Sequence, residues 1–109
     1  MALSESPFAC DHSALTPEAR KHHSDEVVPA LRRLVKSRRE VPDGYAFELP
    51  AESAAILLAA EFASIERLCC PFLDIALRIE REHGKFWLEL SGRPGTKEFI
   101  REDFAPWFS

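Results

Sequence analysis

The segment AESAAILLAAEFASIERLCCPFLDIALRIE, residues 51–80, changes its apolar period halfway along. Its first part is rich in Ala and Leu and free of Gly and Pro, which is strong helix-forming composition. Leu58, Phe62, Ile65 and Cys69 recur at i, i+4, i+7 and i+11, so they predict one buried stripe on that helix. Pro71 ends the helix, because it pushes Cys70 out of the α region. Beyond it Leu73, Ile75, Leu77 and Ile79 alternate with Asp74, Ala76, Arg78 and Glu80, the pattern of a half-buried strand with the first set facing inward.

Working downstream, REHG reads as a turn and KFWLEL alternates through Phe86, Leu88 and Leu90, with Trp87 on the opposite face. The two alternating runs predict a hairpin. After the SGRPG loop, TKEFIREDF reads as a last helix that starts at Thr96 and stops before Pro106. Phe99, Ile100 and Phe104 are core candidates there. Working upstream, YAFEL is a short strand between the VPDG turn and Pro50, with Tyr45, Phe47 and Leu49 on one face. A first helix opens with Thr16 as cap, Pro17 in the first position and Glu18 at the positive end of the dipole. Val27, Leu31, Leu34 and Val35 carry its period, which extends it to about Arg39, and Pro29 should kink or split it. Residues 1–15 read as irregular, although Phe8 and Leu15 are expected to anchor them. The order α-β-α-β-β-α predicts an α+β two-layer sandwich over residues 1–109, with a mostly antiparallel three-stranded sheet and helices on one face.

The chain has 109 residues, which suits one domain, and is 46% apolar and 29% charged, as a folded globular protein should be. A formal net charge of −4 with no basic block argues against nucleic acid. The N-terminus lacks the pattern of a secretory signal, and no apolar run is long enough to span a bilayer. A cytoplasmic protein with reduced thiols is therefore expected.

The three cysteines, Cys10, Cys69 and Cys70, are the main chemical signal. An odd count argues against a disulfide framework and leaves metal binding, redox chemistry or burial as small hydrophobes. Cys69 continues the buried stripe, whereas Cys70 is freed from the helix by Pro71 and is expected on a different face. A loop crossing the end of the helix would bring Cys10, and His12 two residues later, to the pair. Three thiolates suit a soft ion such as zinc, copper(I) or mercury(II), and a histidine would complete a tetrahedral zinc site. Glu66 shares a helix face with Cys69 and is a candidate ligand or base, although a surface charge is the simpler reading. His22 and His23 read as a solvated face of the first helix, and His83 as part of a hairpin turn. A helix C-terminus raises thiol pKa values, so a reactive thiol needs a bound cation or a histidine beside it. If the protein is oxidised, a Cys10–Cys70 bridge is expected in preference to one between the neighbours Cys69 and Cys70.

VPDGYAFELP, ASIERLCCPFL and GRPGTKEFIREDF, with CDHSALTPE upstream, resemble a family of small bacterial CCPF-motif proteins. That family is similar to domains appended to MerR-like regulators and is associated with heavy-metal, especially mercury, resistance genes. The resemblance runs from about Phe8 to Phe104, and Glu66–Phe72 is its most specific element. It implies no defined reaction, but it directs attention to Cys10, Cys69 and Cys70 first and to Glu66 second.

Three functions follow as expectations. The first is a binding module, rather than an enzyme, that captures a soft metal ion through Cys10, Cys69 and Cys70, with His12 and Glu66 as further ligands. The second is a redox sensor or enzyme using Cys70 as the reactive thiol, with Cys10 or Cys69 resolving. The third is an interaction module with inert core cysteines, a homodimer built on Trp87 and the apolar tail Trp107–Phe108.

Overall fold

Thr16 opens the first helix as its side chain dictates: its Oγ1 accepts from the Ala19 N–H at 3.1 Å, and Pro17 takes the first helical position. In the computed structural model, which describes residues 6–109, α1 (Pro17–His22) runs into a π-helical turn (His23–Val27) and on into α2 (Val28–Leu34). The wide turn lies just ahead of Pro29. A proline has no N–H for the helical ladder and its ring crowds the preceding turn, so the expected kink takes the form of a π-bulge.

The helix ends at Leu34, short of the expected Arg39. Ser37–Val41 form instead an edge strand, β1, paired antiparallel with β2 (Gly44–Leu49). Charged residues can make this strand because two of its arginine heads find partners on the protein. Arg38 Nε donates to the Trp107 carbonyl at 2.9 Å, and the Arg39 guanidinium lies 4.1 Å from the centre of the Trp87 ring. Asp43 turns the hairpin with φ of 54°. At Gly44 a Cβ would lie 2.1 Å from the Leu90 carbonyl oxygen, so only glycine lets β2 approach its next neighbour.

The sheet therefore has four strands, not three, in the order β1-β2-β4-β3, with every pair antiparallel. The other two are β3 (Asp74–Ile79) and β4 (Phe86–Ser91), and the element order becomes α-β-β-α-β-β-α. Tyr45, Phe47, Leu49, Phe86, Leu88 and Leu90 form the inner face. Leu31 of α2, Phe62 of α3 (Ser53–Cys69) and Ile100 of α4 (Thr96–Asp103) pack on it. β3 is the second edge. Its Ile75 and Leu77 are half-buried, but Ile79, expected inward, is 58% exposed at the last position of that edge strand.

Two corrections bear on the site. The buried line of α3 is Ala55, Ala59, Phe62, Glu66 and Cys69, while Leu58 and Ile65 are only half-buried. The helix is thus rotated from the expected stripe, and the rotation carries Glu66 inward. The tail, a short 3-10 turn over Ala105–Phe108, docks on its own domain. Trp107 packs on Phe47, Phe62 and Phe104, and Phe108 packs on Tyr45 and Phe47. Trp87 is buried on the outer sheet face under Arg39, with Lys85 at 5.9 Å. Among the described residues no helix is long and apolar enough to cross a membrane.

Candidate thiol site

Helix α3 stops at Cys69, and Cys70 leaves the helical region with φ −124° and ψ 69°, as Pro71 requires. The segment from Ser6 to Leu15 crosses this helix end as a strap; residues 1–5 of the expected irregular stretch lie outside the described residues. The Asp11 N–H donates to the Cys69 carbonyl at 2.6 Å and so satisfies a C-terminal carbonyl of α3. Phe8 sits edge-on to Phe72 at 5.3 Å beneath the Arg93 guanidinium, and Arg93 also donates to the Ser6 carbonyl. Leu15 is buried in the core. Both expected anchors hold, and His12–Ala14 adds a short 3-10 turn.

The strap brings Cys10 to Cys70, and the two form a disulfide with a Cα–Cα distance of 4.6 Å. Cys69 remains a free thiol. Its Sγ lies 3.9 Å from Cys70 Sγ, 3.7 Å from Glu66 Oε1 and 3.6 Å from the Glu66 carbonyl oxygen. The three sulfurs and the Glu66 carboxylate all lie within 4.8 Å of one another. The expected divergence of the neighbouring cysteines is thus corrected. The helix does end between them, but Cys70 is turned inward to meet the strap, and both are buried. Cys10, half-buried, is the accessible member of the bond.

Burial, followed by the negative charge of Glu66 and its hydrogen bond, pushes the Cys69 thiol up to about 12, so it is protonated at neutral pH. Burial, with a smaller contribution from Glu66, also raises Asp103, while His12 acts in the opposite direction. The Asp103 carboxyl reaches the same place: Oδ2 lies 3.8 Å from Cys10 Sγ.

Glu66 is not the surface charge its sequence suggests. It is 3% exposed and its Oε1 lies 2.7 Å from His23 Nε2. His23, expected on a solvated face, is 5% exposed and stacks on Phe62 at 5.5 Å. A readable signal for this histidine exists: His23, Val27 and Leu31 follow one another at four-residue spacing, and all three are buried. His22 behaves as expected, exposed between Glu26 at 2.6 Å and Glu61 at 2.8 Å, and hydrogen bonds to both raise its pKa. His12 is exposed at the rim and does not belong to the cluster of sulfurs and Glu66.

A cavity of about 310 Å³ opens over the cluster. Cys10, Cys69, Glu66 and His23 line it, while Cys70 does not. His23 Nδ1, on this buried ring, has no hydrogen-bond partner. The arrangement combines a disulfide reachable through one sulfur, a protonated thiol beside the other sulfur, and an imidazole held by a carboxylate. No family model, curated protein or solved structure matches the chain.

Proposed function

We propose that the protein is a thiol–disulfide switch whose two states are the Cys10–Cys70 bond and the corresponding dithiol. The observation that carries this reading is the bond itself, made between a strap and the end of the central helix with a third sulfur 3.9 Å away. In the cytoplasm, where the chain is expected to act, such bonds are usually transient and signal the redox state. Breaking the bond frees the strap from the covalent hold on α3, so the state of two sulfurs sets the order of a surface segment. The accessible sulfur is Cys10, which makes it the point of exchange and Cys70 the buried partner.

Equilibration in glutathione buffers tests this. A switch should pass from disulfide to dithiol at a potential of about −200 to −300 mV, within reach of the glutathione pool. A bond that stays intact throughout that range would be a structural staple, and the switch reading would fail.

A second reading is capture of a soft ion, Zn²⁺, Cu(I) or Hg²⁺, by the reduced form. The spacing favours it: two thiolates bound at about 2.3 Å to a tetrahedral zinc lie about 3.8 Å apart, and Cys69 and Cys70 are 3.9 Å apart. The donors would be the sulfurs of Cys10, Cys69 and Cys70. Glu66 is already engaged by His23, and His12 stands at the rim. A bound cation supplies the charge that deprotonates Cys69. Metal titration of phosphine-reduced protein with thiol counting tests it. Three thiols should be lost together to one ion, and an unchanged thiol count would exclude the site.

A further inference from the structure

We infer that β3 pairs antiparallel with β3 of a second copy of this chain, about a two-fold axis through Ala76, and joins the two sheets into one. This surface is separate from the sulfur cluster, and it uses neither Trp87 nor the apolar tail.

The backbone leaves one side of β3 open. It is an edge strand whose neighbour in the sheet is β4. The Glu80 N–H donates to the Lys85 carbonyl at 2.9 Å, and the same register sets Arg78 against Trp87, Ala76 against Glu89 and Asp74 against Ser91. Backbone groups alternate in direction along a strand, so these positions bond toward β4. The Leu90 carbonyl, across from Ile75, lies instead beside Gly44 of β2. Ile75, Leu77 and Ile79 therefore turn their N–H and C=O groups outward. The opposite edge, β1, is guarded by arginines, one of them tied to the Trp107 carbonyl. β3 has no Lys, no Pro and an unbroken register, so it lacks the usual devices that keep an edge from pairing.

Its charges select a second copy as the partner. Pairing centred on Ala76 sets Ile75 against the partner's Leu77, and these two exchange both backbone bonds. It also sets Asp74 against the partner's Arg78. Symmetry makes each contact twice. Asp74 and Arg78 are exposed, and opposite charges directly across a strand pair stabilise it. Centring the pair on Leu77 would set Asp74 against the partner's Glu80. Centring it on Ile75 would carry Arg78 past the start of the partner's strand.

The inner face fits the same register. Ile79 is 58% exposed, and the pairing places it against the partner's Leu73. Leu73 lines an open groove between α3 and β3, together with Ala60, Ala63, Ile75 and Leu77. The exposed isoleucine of each copy thus fills the groove of the other. Ala60 and Ala63 are small, which lets the two copies of α3 approach across the axis.

Sedimentation equilibrium from micromolar to near-millimolar protein tests this. One short strand pair with a helix seam is a small interface, so a reversible dimer that dissociates on dilution is expected. Asp74→Arg alone and Arg78→Asp alone should each weaken it by about tenfold or more, because two attractive pairs become two repulsive ones. Both positions are exposed, so the urea midpoints should stay near that of the parent. An equimolar mixture of the two variants should dimerise again, within about threefold of the parent, because every cross-strand pair is then of opposite sign. A chain that stays monomeric throughout, a dimer that neither variant weakens, or a mixture that does not recover would each overturn the inference.

Discussion

His23 and Glu66, 43 positions apart, meet at 2.7 Å in the interior, and the same carboxylate oxygen lies 3.7 Å from Cys69 Sγ. The π-helical turn, the central helix and the thiol site are therefore coupled through one buried oxygen. Removing one member of a buried pair leaves the other without its partner, which costs about 3 kcal/mol or more. Glu66→Ala should lower stability by that amount in urea unfolding. The double variant His23→Phe/Glu66→Leu should recover most of the loss, since both polar groups go together. A double variant as unstable as the sum of the two single changes would show that the pair is not coupled.

The disulfide joins residues 60 apart. Closing a loop of that length is worth about 4 kcal/mol in the chain-entropy model. Cys10→Ser should therefore lower the unfolding free energy by roughly that much. Cys69→Ala, which leaves the bond in place, should cost about 1–2 kcal/mol for the lost buried sulfur. Thermal melts of both variants, with intact mass to confirm the bond in Cys69→Ala, compare them directly.

Cys69 should resist iodoacetamide in the folded protein at neutral pH and react once the chain is unfolded. Its folded value, about 12, lies above the ordinary 9.0, so folding favours the neutral thiol. That contribution is fully present below about pH 9 and is lost as the pH rises toward 12. Stability measured across this window should fall less in Cys69→Ala than in the parent. Equal slopes would mean that the thiol is not shielded.

Gly44→Ala should disrupt the β2–β4 pairing, because the added methyl meets backbone, which cannot swing aside. A loss of about 2 kcal/mol or more is expected, in the range of severe packing errors. Strand content and urea midpoint together report it.

The helix–Pro71–strand boundary was legible, because apolar period and proline chemistry act locally. So was the meeting of Cys10 with Cys70, since only a strap over the helix end brings them together. β1 was not legible. SRREV has no apolar alternation, and its strand state comes from pairing with β2 and from arginine heads that stack on Trp87 and donate to the Trp107 carbonyl. His23 was misjudged although its spacing could be read. It stands four residues before Val27 on the buried stripe, but a polar imidazole beside His22 reads as solvated until its carboxylate partner is known. Glu66 was misjudged because a carboxylate on a buried line makes sense only once its imidazole partner, from another helix, is known.

The Cys10–Cys70 bond also divides the molecule topologically. The covalent ring it closes holds the first helix, the β1–β2 hairpin and all of α3, while β3, β4 and α4 hang outside it. A single cut at an exposed ring position, such as Arg33, leaves one covalently joined molecule in the oxidised state. The same cut yields two separable pieces after reduction. A cut at Glu82, outside the ring, separates the pieces in both states.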